Sequence, residues 1–598
     1  MQKKFLMGNQ AIALGALHAG VNLISGYPGT PSTEILETAA ANKYEDTYVE
    51  WSVNEKAALE VAAGAAYCGA RALVTMKQVG LNVACDPVMS LAYVGVKGGL
   101  VIVVCDDPGP ISSQTEQDTR HFAQFAKLPV LDPSDPQQAY DMMGYAFELS
   151  EKYGIPVILR PTTRVCHACS DVDVADKRIE HPVEGFAKDP KWVIFPRLSY
   201  NNHLKLNRMH GEIAEEFSGC RFNTAEGSSQ KKAIIASGVS CQYVREAISS
   251  IGVDVKLLCL ATPNPFPEGL VLDFLDGAEE VLAVEELDPV IEDALTAMRG
   301  RYSLDIRICG KRTGHLPAAG ENTYEIVRDA VCGFCGIMLK KAAPSELPPL
   351  PVRPPVLCAG CPHRASFYAV KRALKGKKAV FTGDIGCYTL GNAKPLDMVD
   401  TCLCMGADIT MAQGMERVEG DVKHVAFIGD STFFHTGIAG IVNGVYNQSG
   451  ITVIILDNST TAMTGHQPHP GTGVTMMGGL SRRISIEKVL EGCGVEHIYT
   501  ADPFELDNAV ETVKQAVQEK CLSCVVFRSP CIAVSKPRPP LHIGDGCIGC
   551  MRCVNEIGCP AISRESGRVR IDAAICFGCG LCAEICGFGA ICSGGEGK

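Results

Sequence analysis

Val425-Ala-Phe-Ile428 runs straight into Gly429-Asp430-Ser431, and Ile451-Thr-Val-Ile-Ile-Leu456 runs into Asp457-Asn458-Ser459-Thr460. Each is a short apolar run closed by a polar loop. Such runs read as strands buried on both faces, the pattern of a parallel sheet covered by helices. Open α/β sheets bind ligands at the carboxyl ends of their strands, so both loops fall where a ligand would sit. On the residues alone two readings stay open. One is a plain turn followed by an Asx turn. The other is a magnesium–diphosphate site. Magnesium takes six oxygens in octahedral array. The Asp430 carboxylate, the Asn458 amide oxygen, the Thr460 carbonyl and two diphosphate oxygens would leave room for one water. Gly429 would let the backbone approach the phosphates closely.

The same α/β pattern extends outward. Val101–Cys105 and Pro156–Leu159 read as buried parallel strands in a first domain, residues 1–165. A less regular connecting segment follows, 166–230. Lys232–Ala236, Val255–Cys259 and Val281–Val284 read as strands of a second α/β unit, 231–340. Residues 341–356 are proline-dense and read as an extended linker. A third α/β unit with its own proline-rich exit covers 357–540. A small cysteine-rich domain covers 541–592, and 593–598 read as a frayed tail. The fold class expected is α/β and multidomain.

The chain has 598 residues, 46% of them apolar, and a formal net charge of −12. The acidic balance argues against nucleic acid, whose phosphates need a basic face. No run of about 20 apolar residues marks a membrane span, and no apolar stretch after Met1-Gln-Lys-Lys4 reads as a signal peptide. The 29 cysteines therefore point to metal-bound thiolates in a reducing cytoplasm, not to disulfides.

Two cysteine runs carry the redox chemistry. The first is Cys547-x2-Cys550-x2-Cys553-x5-Cys559-Pro560, and the second is Cys576-x2-Cys579-x2-Cys582-x3-Cys586. Three cysteines at two-residue gaps wrap one cubane, and the fourth of each run reaches the other cluster. This assigns Cys547, Cys550, Cys553 and Cys586 to one [4Fe–4S] cluster. Cys576, Cys579, Cys582 and Cys559 go to the second. Structural zinc draws ligand pairs from separated segments and fits this spacing poorly. The pairs Cys166/Cys169, Cys332/Cys335 and Cys521/Cys524 have no evident partners, and the flank Cys524–Phe527 reads as strand core.

Gly429-Asp430-Ser431, followed after 25 residues by Asp457-Asn458, resembles the thiamine-diphosphate motif, with serine where glycine is usual. Tyr27-Pro-Gly-Thr-Pro-Ser32, Cys358-Ala-Gly-Cys-Pro-His-Arg364, Gly383-Asp-Ile-Gly-Cys387 and Thr461–Pro470 resemble segments of the 2-oxoacid:ferredoxin oxidoreductases. The resemblance covers essentially the whole chain. The domain order is similar to that of the large (alpha) subunits of the indolepyruvate-specific members. It implies a pyrimidine-binding thiamine domain, a transketolase-C-like domain, a diphosphate-binding thiamine domain and a bacterial two-cluster ferredoxin-like domain.

The resemblance also implies roles. Gly383 and Asp384 would join Gly429, Asp430, Ser431, Asn458 and Thr460 in binding thiamine diphosphate and Mg2+. Glu55 would be the carboxylate that activates the aminopyrimidine, although Glu60 on the same helix is a rival. Thr30 would contact substrate, or be a turn threonine. Arg120 would grip the 2-oxo acid carboxylate, or form a surface ion pair. His466 and its neighbour His469 would shape the pocket or move protons, or be purely structural. Cys358, Cys361, Cys387 and Cys531 would hold a third [4Fe–4S] cluster, unless they are buried small hydrophobes. The expected reaction is oxidative decarboxylation of an arylpyruvate to its acyl-CoA and CO2, with electrons passing to ferredoxin. The expected partner is a small beta subunit in an α2β2 assembly. Two rivals are a non-oxidative 2-oxo acid decarboxylase and a non-catalytic electron-transfer subunit.

Overall fold

The computed structural model describes residues 2–229, 231–338, 348, 350–565 and 567–593. Half of the linker expected over 341–356 and nearly all of the tail expected over 593–598 lie outside the described residues; residues 350–356 carry no regular element. The chain divides into two compact units, Met1–Ser345 and Glu346–Lys598.

Unit 1 holds two sheets of its own. The first has six parallel strands: β2 (Leu23–Gly26), β3 (Tyr48–Trp51), β4 (Ala72–Lys77), β5 (Leu100–Cys105), β6 (Val130–Leu131) and β7 (Val157–Leu159). Their order is β3-β2-β4-β5-β7-β6. Every residue of β5, Leu-Val-Ile-Val-Val-Cys, is buried, as a strand covered on both faces requires. An antiparallel pair, β1 (Gln2–Met7) with β8 (Cys169–Val174), ties the chain start to the end of this domain. The second sheet runs β13-β12-β10-β11-β9. It comprises β9 (Thr224–Glu226), β10 (Lys232–Ala236), β11 (Lys256–Cys259), β12 (Glu280–Val284) and β13 (Arg307–Cys309). Only β9 is antiparallel to its neighbour. The segment 166–230, expected to be irregular, contains β8 and the 23-residue helix Pro196–Ser218.

Unit 2 is built on β14 (Ala379–Gly383), β15 (Thr401–Cys402), β16 (Lys423–Gly429), β17 (Thr452–Asp457), β18 (His497–Ala501) and β19 (Ser523–Arg528). All are parallel, in the order β15-β14-β16-β17-β19-β18. The two runs that open the sequence reading are thus the adjacent central strands β16 and β17. Two antiparallel pairs complete the unit. They are β20 (Leu541–Ile543) with β23 (Ile591–Ser593), and β21 (Ile562–Glu565) with β22 (Arg568–Ile571). Ile557, Leu581 and Ile585 of this small domain share one apolar core with Phe367 and Phe427 of the sheet domain. No described helix is long and apolar enough to cross a membrane.

Candidate functional site

In unit 2 the loops after β14, β16 and β17 converge at the carboxyl edge of the sheet. Asp430 begins the helical turn after β16 and is 3% exposed. Its Oδ1 accepts from the Ser431 amide at 2.8 Å. Its Oδ2 accepts from the amides of Asn458 at 3.1 Å and Ser459 at 2.8 Å, and lies 3.1 Å from His469 Nε2. Burial pushes this carboxyl up; the His469 imidazole and the backbone donors outweigh it and hold it below the usual carboxylate range. Asp430 is therefore an ionised oxygen donor whose Oδ1 takes one amide and keeps lone-pair room for a cation. Asn458 gives Nδ2 to His363 Nε2 at 3.1 Å, which turns Oδ1 the other way. The backbone at Gly429 has no room for a side chain, because a Cβ would meet the Tyr388 ring at 2.5 Å. A charged carboxylate and hard amide and carbonyl oxygens fit a magnesium-bound diphosphate.

Ser431 and Thr461 join their hydroxyls at 2.9 Å across the two loops. Asp384, after β14, is fully buried. It accepts from the Gly406 amide at 3.2 Å, while its Oδ1 has no partner among the described residues. Burial raises it to about 7. Asp408 nearby is raised as well, by burial first and then by Asp384. The two histidines of this loop differ in setting. His466 is exposed with φ 68°, whereas His469 is the histidine that reaches Asp430. His363 and Tyr388 were missed. His363 lies inside the Cys-Pro-His-Arg motif, where the sequence reading used only the thiols. Burial lowers it to about 4, with Asp430 acting the other way, so it stands as a neutral imidazole beside Asn458.

The twelve cysteines assigned to clusters all lie in unit 2. Cys547, Cys550, Cys553 and Cys586 line one apolar cavity with Ile543, Val569 and Ile591. Cys559, Cys576, Cys579 and Cys582 line a second with Ile562 and Leu581. These are the two crossed sets that the spacing assigns. Cys361, Gly360 and Arg364 also line the second cavity. In the third group, burial raises Cys387 to about 11, and the Cys531 and Cys358 thiols push it further. Cys361 goes to about 12 by burial, with Cys358 adding. Cys358 is the shared neighbour, acting electrostatically on Cys361, Cys387 and Cys531. Cys521 and Cys524 stay out of these groups, and Cys524 is core in β19.

In unit 1 Glu55 starts the helix Glu55–Tyr67, capped by the Asn54 side chain, which accepts from the Ala57 amide at 2.8 Å. Glu55 is 6% exposed, and a Cβ on Gly80 would sit 2.6 Å from its Oε1. Its rival Glu60 is exposed and ion-paired with Lys56 one turn back. Thr30 lies in the loop after β2, where Gly29 accepts from the Ser32 hydroxyl at 2.7 Å. The structure corrects the expectation for Arg120. It is 0% exposed, with its guanidinium spent on Asp118 at 2.6 Å, Glu285 at 2.7 Å and the Glu286 and Asp288 carbonyls. It is neither at the surface nor open to a substrate. With Arg160, held by Asp106 at 2.7 Å and Asp132 at 3.3 Å, it forms a buried network that joins the two sheets of unit 1.

Two thiamine-enzyme families match the chain. "Pyruvate flavodoxin/ferredoxin oxidoreductase, thiamine diP-bdg" covers residues 14–204, and "Thiamine pyrophosphate enzyme, C-terminal TPP binding domain" covers 384–527. The indolepyruvate oxidoreductase subunit IorA of Methanothermobacter thermautotrophicus is 43% identical over 613 residues, 100% of this chain and 98% of its own. The chain belongs to the IorA family. The IorA subunit of Pyrococcus horikoshii is 42% identical over 98% of this chain and 96% of its own. The ketoisovalerate oxidoreductase subunit VorB of M. thermautotrophicus is 23% identical, over 53% of this chain and 95% of its own. The protein is a thiamine-diphosphate-dependent oxidoreductase with two thiamine-type α/β domains. The Asp430–Asn458 loops lie inside the second matched span, and Thr30 and Glu55 inside the first.

Proposed function

We propose that the protein is the large subunit of a cytoplasmic oxidoreductase that converts arylpyruvates, indolepyruvate foremost, to their acyl-CoA and CO2, handing electrons to ferredoxin. The observation that carries this reading is the joining, within unit 2, of the Asp430–Asn458 loops to three groups of cysteines. A non-oxidative decarboxylase has no use for such an electron outlet.

Asp430, Asn458 and the Thr460 carbonyl would hold Mg2+. Gly429, Ser431, Gly383 and Asp384 would frame the diphosphate. His363 holds the Asn458 Nδ2, and the Asn458 Oδ1, which accepts from the Thr460 amide, would be the atom offered to the metal. Glu55 would lie against the aminopyrimidine and hold a proton there. Bound thiamine diphosphate supplies a carbon nucleophile and an electron sink for the 2-oxo acid. Cys358, Cys361, Cys387 and Cys531 would hold one [4Fe–4S] cluster, next to the Mg2+ loops. Cys559, Cys576, Cys579 and Cys582 would hold a second. Cys547, Cys550, Cys553 and Cys586 would hold a third. Such clusters store and pass single electrons. The shared lining of Cys361 with the Cys559 set supports that order. The complete enzyme would be an α2β2 assembly with a small beta subunit and would use coenzyme A. Anaerobic turnover of indolepyruvate with the beta subunit, coenzyme A and a viologen tests the reading. Acyl-CoA is the expected product. Free aldehyde as the main product, without viologen reduction, would refute it.

A further inference from the structure

In unit 1, β2 lies between β3 and β4. The chain leaves β2 toward β3 on one side and returns to β4 on the other. The gap between the carboxyl ends of β2 and β4 is therefore the switch point of this sheet, where open α/β folds take ligands. Gly29 and Thr30 follow β2, and Lys77 is the last residue of β4. The Lys77 stem lies on Gly29, since a Cβ there would meet Lys77 Cδ at 3.1 Å and Cγ at 3.3 Å. An ammonium has three protons to donate. One goes to the Ser112 carbonyl at 2.9 Å, in the loop after β5. Next in the chain, Gln78 is 2% exposed and gives Nε2 to the Thr115 carbonyl at 3.3 Å. Its Oε1 has no partner among the described residues, and a buried acceptor of this kind calls for a ligand or water donor. Arg120, by contrast, is consumed by Asp118, Glu285 and two carbonyls, and Arg160 is fully buried with its Nε and Nη1 held by Asp106 and Asp132.

We propose that Lys77 binds the carboxylate of the 2-oxo acid, holding it at the crevice between β2 and β4 until it departs as carbon dioxide. This rests on the 2-oxo acid oxidation proposed above. Burial pushes the Lys77 ammonium down from the ordinary lysine value, and the carboxylates of Asp107 and Glu55 act the other way. A substrate carboxylate would add to that restoring field.

The test compares two substrates in one preparation of the holoenzyme assembled with its beta subunit. Phenylpyruvate and coenzyme A give phenylacetyl-CoA, CO2, one proton and two electrons. Phenylacetaldehyde and coenzyme A give the same thioester, two protons and two electrons. Viologen accepts the electrons in both. The ratio of the two kcat/KM values does not depend on the fraction of active enzyme, so partial misfolding cancels. In Lys77→Met the ratio of phenylpyruvate to phenylacetaldehyde should fall about a hundredfold, and Lys77→Arg should recover about tenfold of it. An unchanged ratio in both variants overturns the role of Lys77. A wild type that oxidises the aldehyde but not phenylpyruvate overturns the 2-oxo acid reading, and the role of Lys77 with it.

Discussion

Asp430 is the residue on which the diphosphate half of the site turns. It gathers three backbone amides and His469 around one ionised carboxylate. Asp430→Ala should weaken Mg2+-dependent thiamine diphosphate binding by about a hundredfold or more, measured by calorimetry. The iron content should be unchanged, because Asp430 is not itself among the assigned cluster ligands. Glu55→Gln should still bind the cofactor while C2-proton exchange, followed by NMR, slows by about 10²–10⁴. Exchange at the wild-type rate would move the role away from Glu55, and Glu60 would not inherit it, being exposed and paired with Lys56. Lys77 yields a pH prediction. A lowered pKa means that the charge is lost at a lower pH than in an ordinary lysine. The kcat/KM for the 2-oxo acid should therefore fall on the alkaline side below the usual lysine range, and Lys77→Arg should move that limb upward. At this scale a motif picked out Asp430 and Glu55, and the fold buries both. The sequence was unreadable where a partner lies far along the chain. The fate of Arg120 depends on Glu285, 165 residues away.

The elements show the same division. Strands β5, β10, β16 and β17 were legible because a parallel strand covered on both faces is apolar along its length. The helix Pro196–Ser218 was not. Its buried positions, Leu206, Met209, Ile213 and Phe217, form one narrow stripe in its second half, and its first half is rich in Asn, His and Ser. Strand β8 escaped for a related reason: of Cys-Ser-Asp-Val-Asp-Val only Val172 and Val174 are buried. The loop Cys358–Cys361 carries the joint between the sheet domain and the cysteine-rich domain. Gly360 has φ +80°, and a Cβ there would meet Phe577 Cβ at 2.4 Å. Arg364 on the helix that follows donates to the Gly558 carbonyl at 2.8 Å. Gly360→Ala combines a left-handed backbone with a steric collision and should destabilise this joint by about 1–3 kcal/mol, read in anaerobic urea unfolding of unit 2. Reduction of ferredoxin should slow more than consumption of thiamine-bound substrate in a single turnover. An unaltered unfolding midpoint would show that the joint is slack.

Unit 1 carries the sheet crevice with Glu55 and Lys77, and unit 2 carries the Asp430–Asn458 loops and the assigned cluster thiols. Three cubanes would bring about twelve iron atoms per chain and two would bring about eight, so anaerobic iron and sulfide analysis decides whether Cys358, Cys361, Cys387 and Cys531 hold a cluster. Fold class, strand positions and the crossed thiol sets were legible from pattern and spacing. The switch-point crevice with Lys77 was not, because strand order is a property of the assembled sheet. Substrate choice is the central claim, since VorB, a relative over half of this chain, carries the name of a different oxo acid. Burying an aryl ring contributes on the order of 2–3 kcal/mol. The most direct measurement is kcat/KM for indolepyruvate, phenylpyruvate, pyruvate and 2-oxoglutarate, with the beta subunit, coenzyme A and ferredoxin present under anaerobic conditions. The arylpyruvates should exceed pyruvate by about a hundredfold or more; equal or better turnover of pyruvate or 2-oxoglutarate would contradict the assignment.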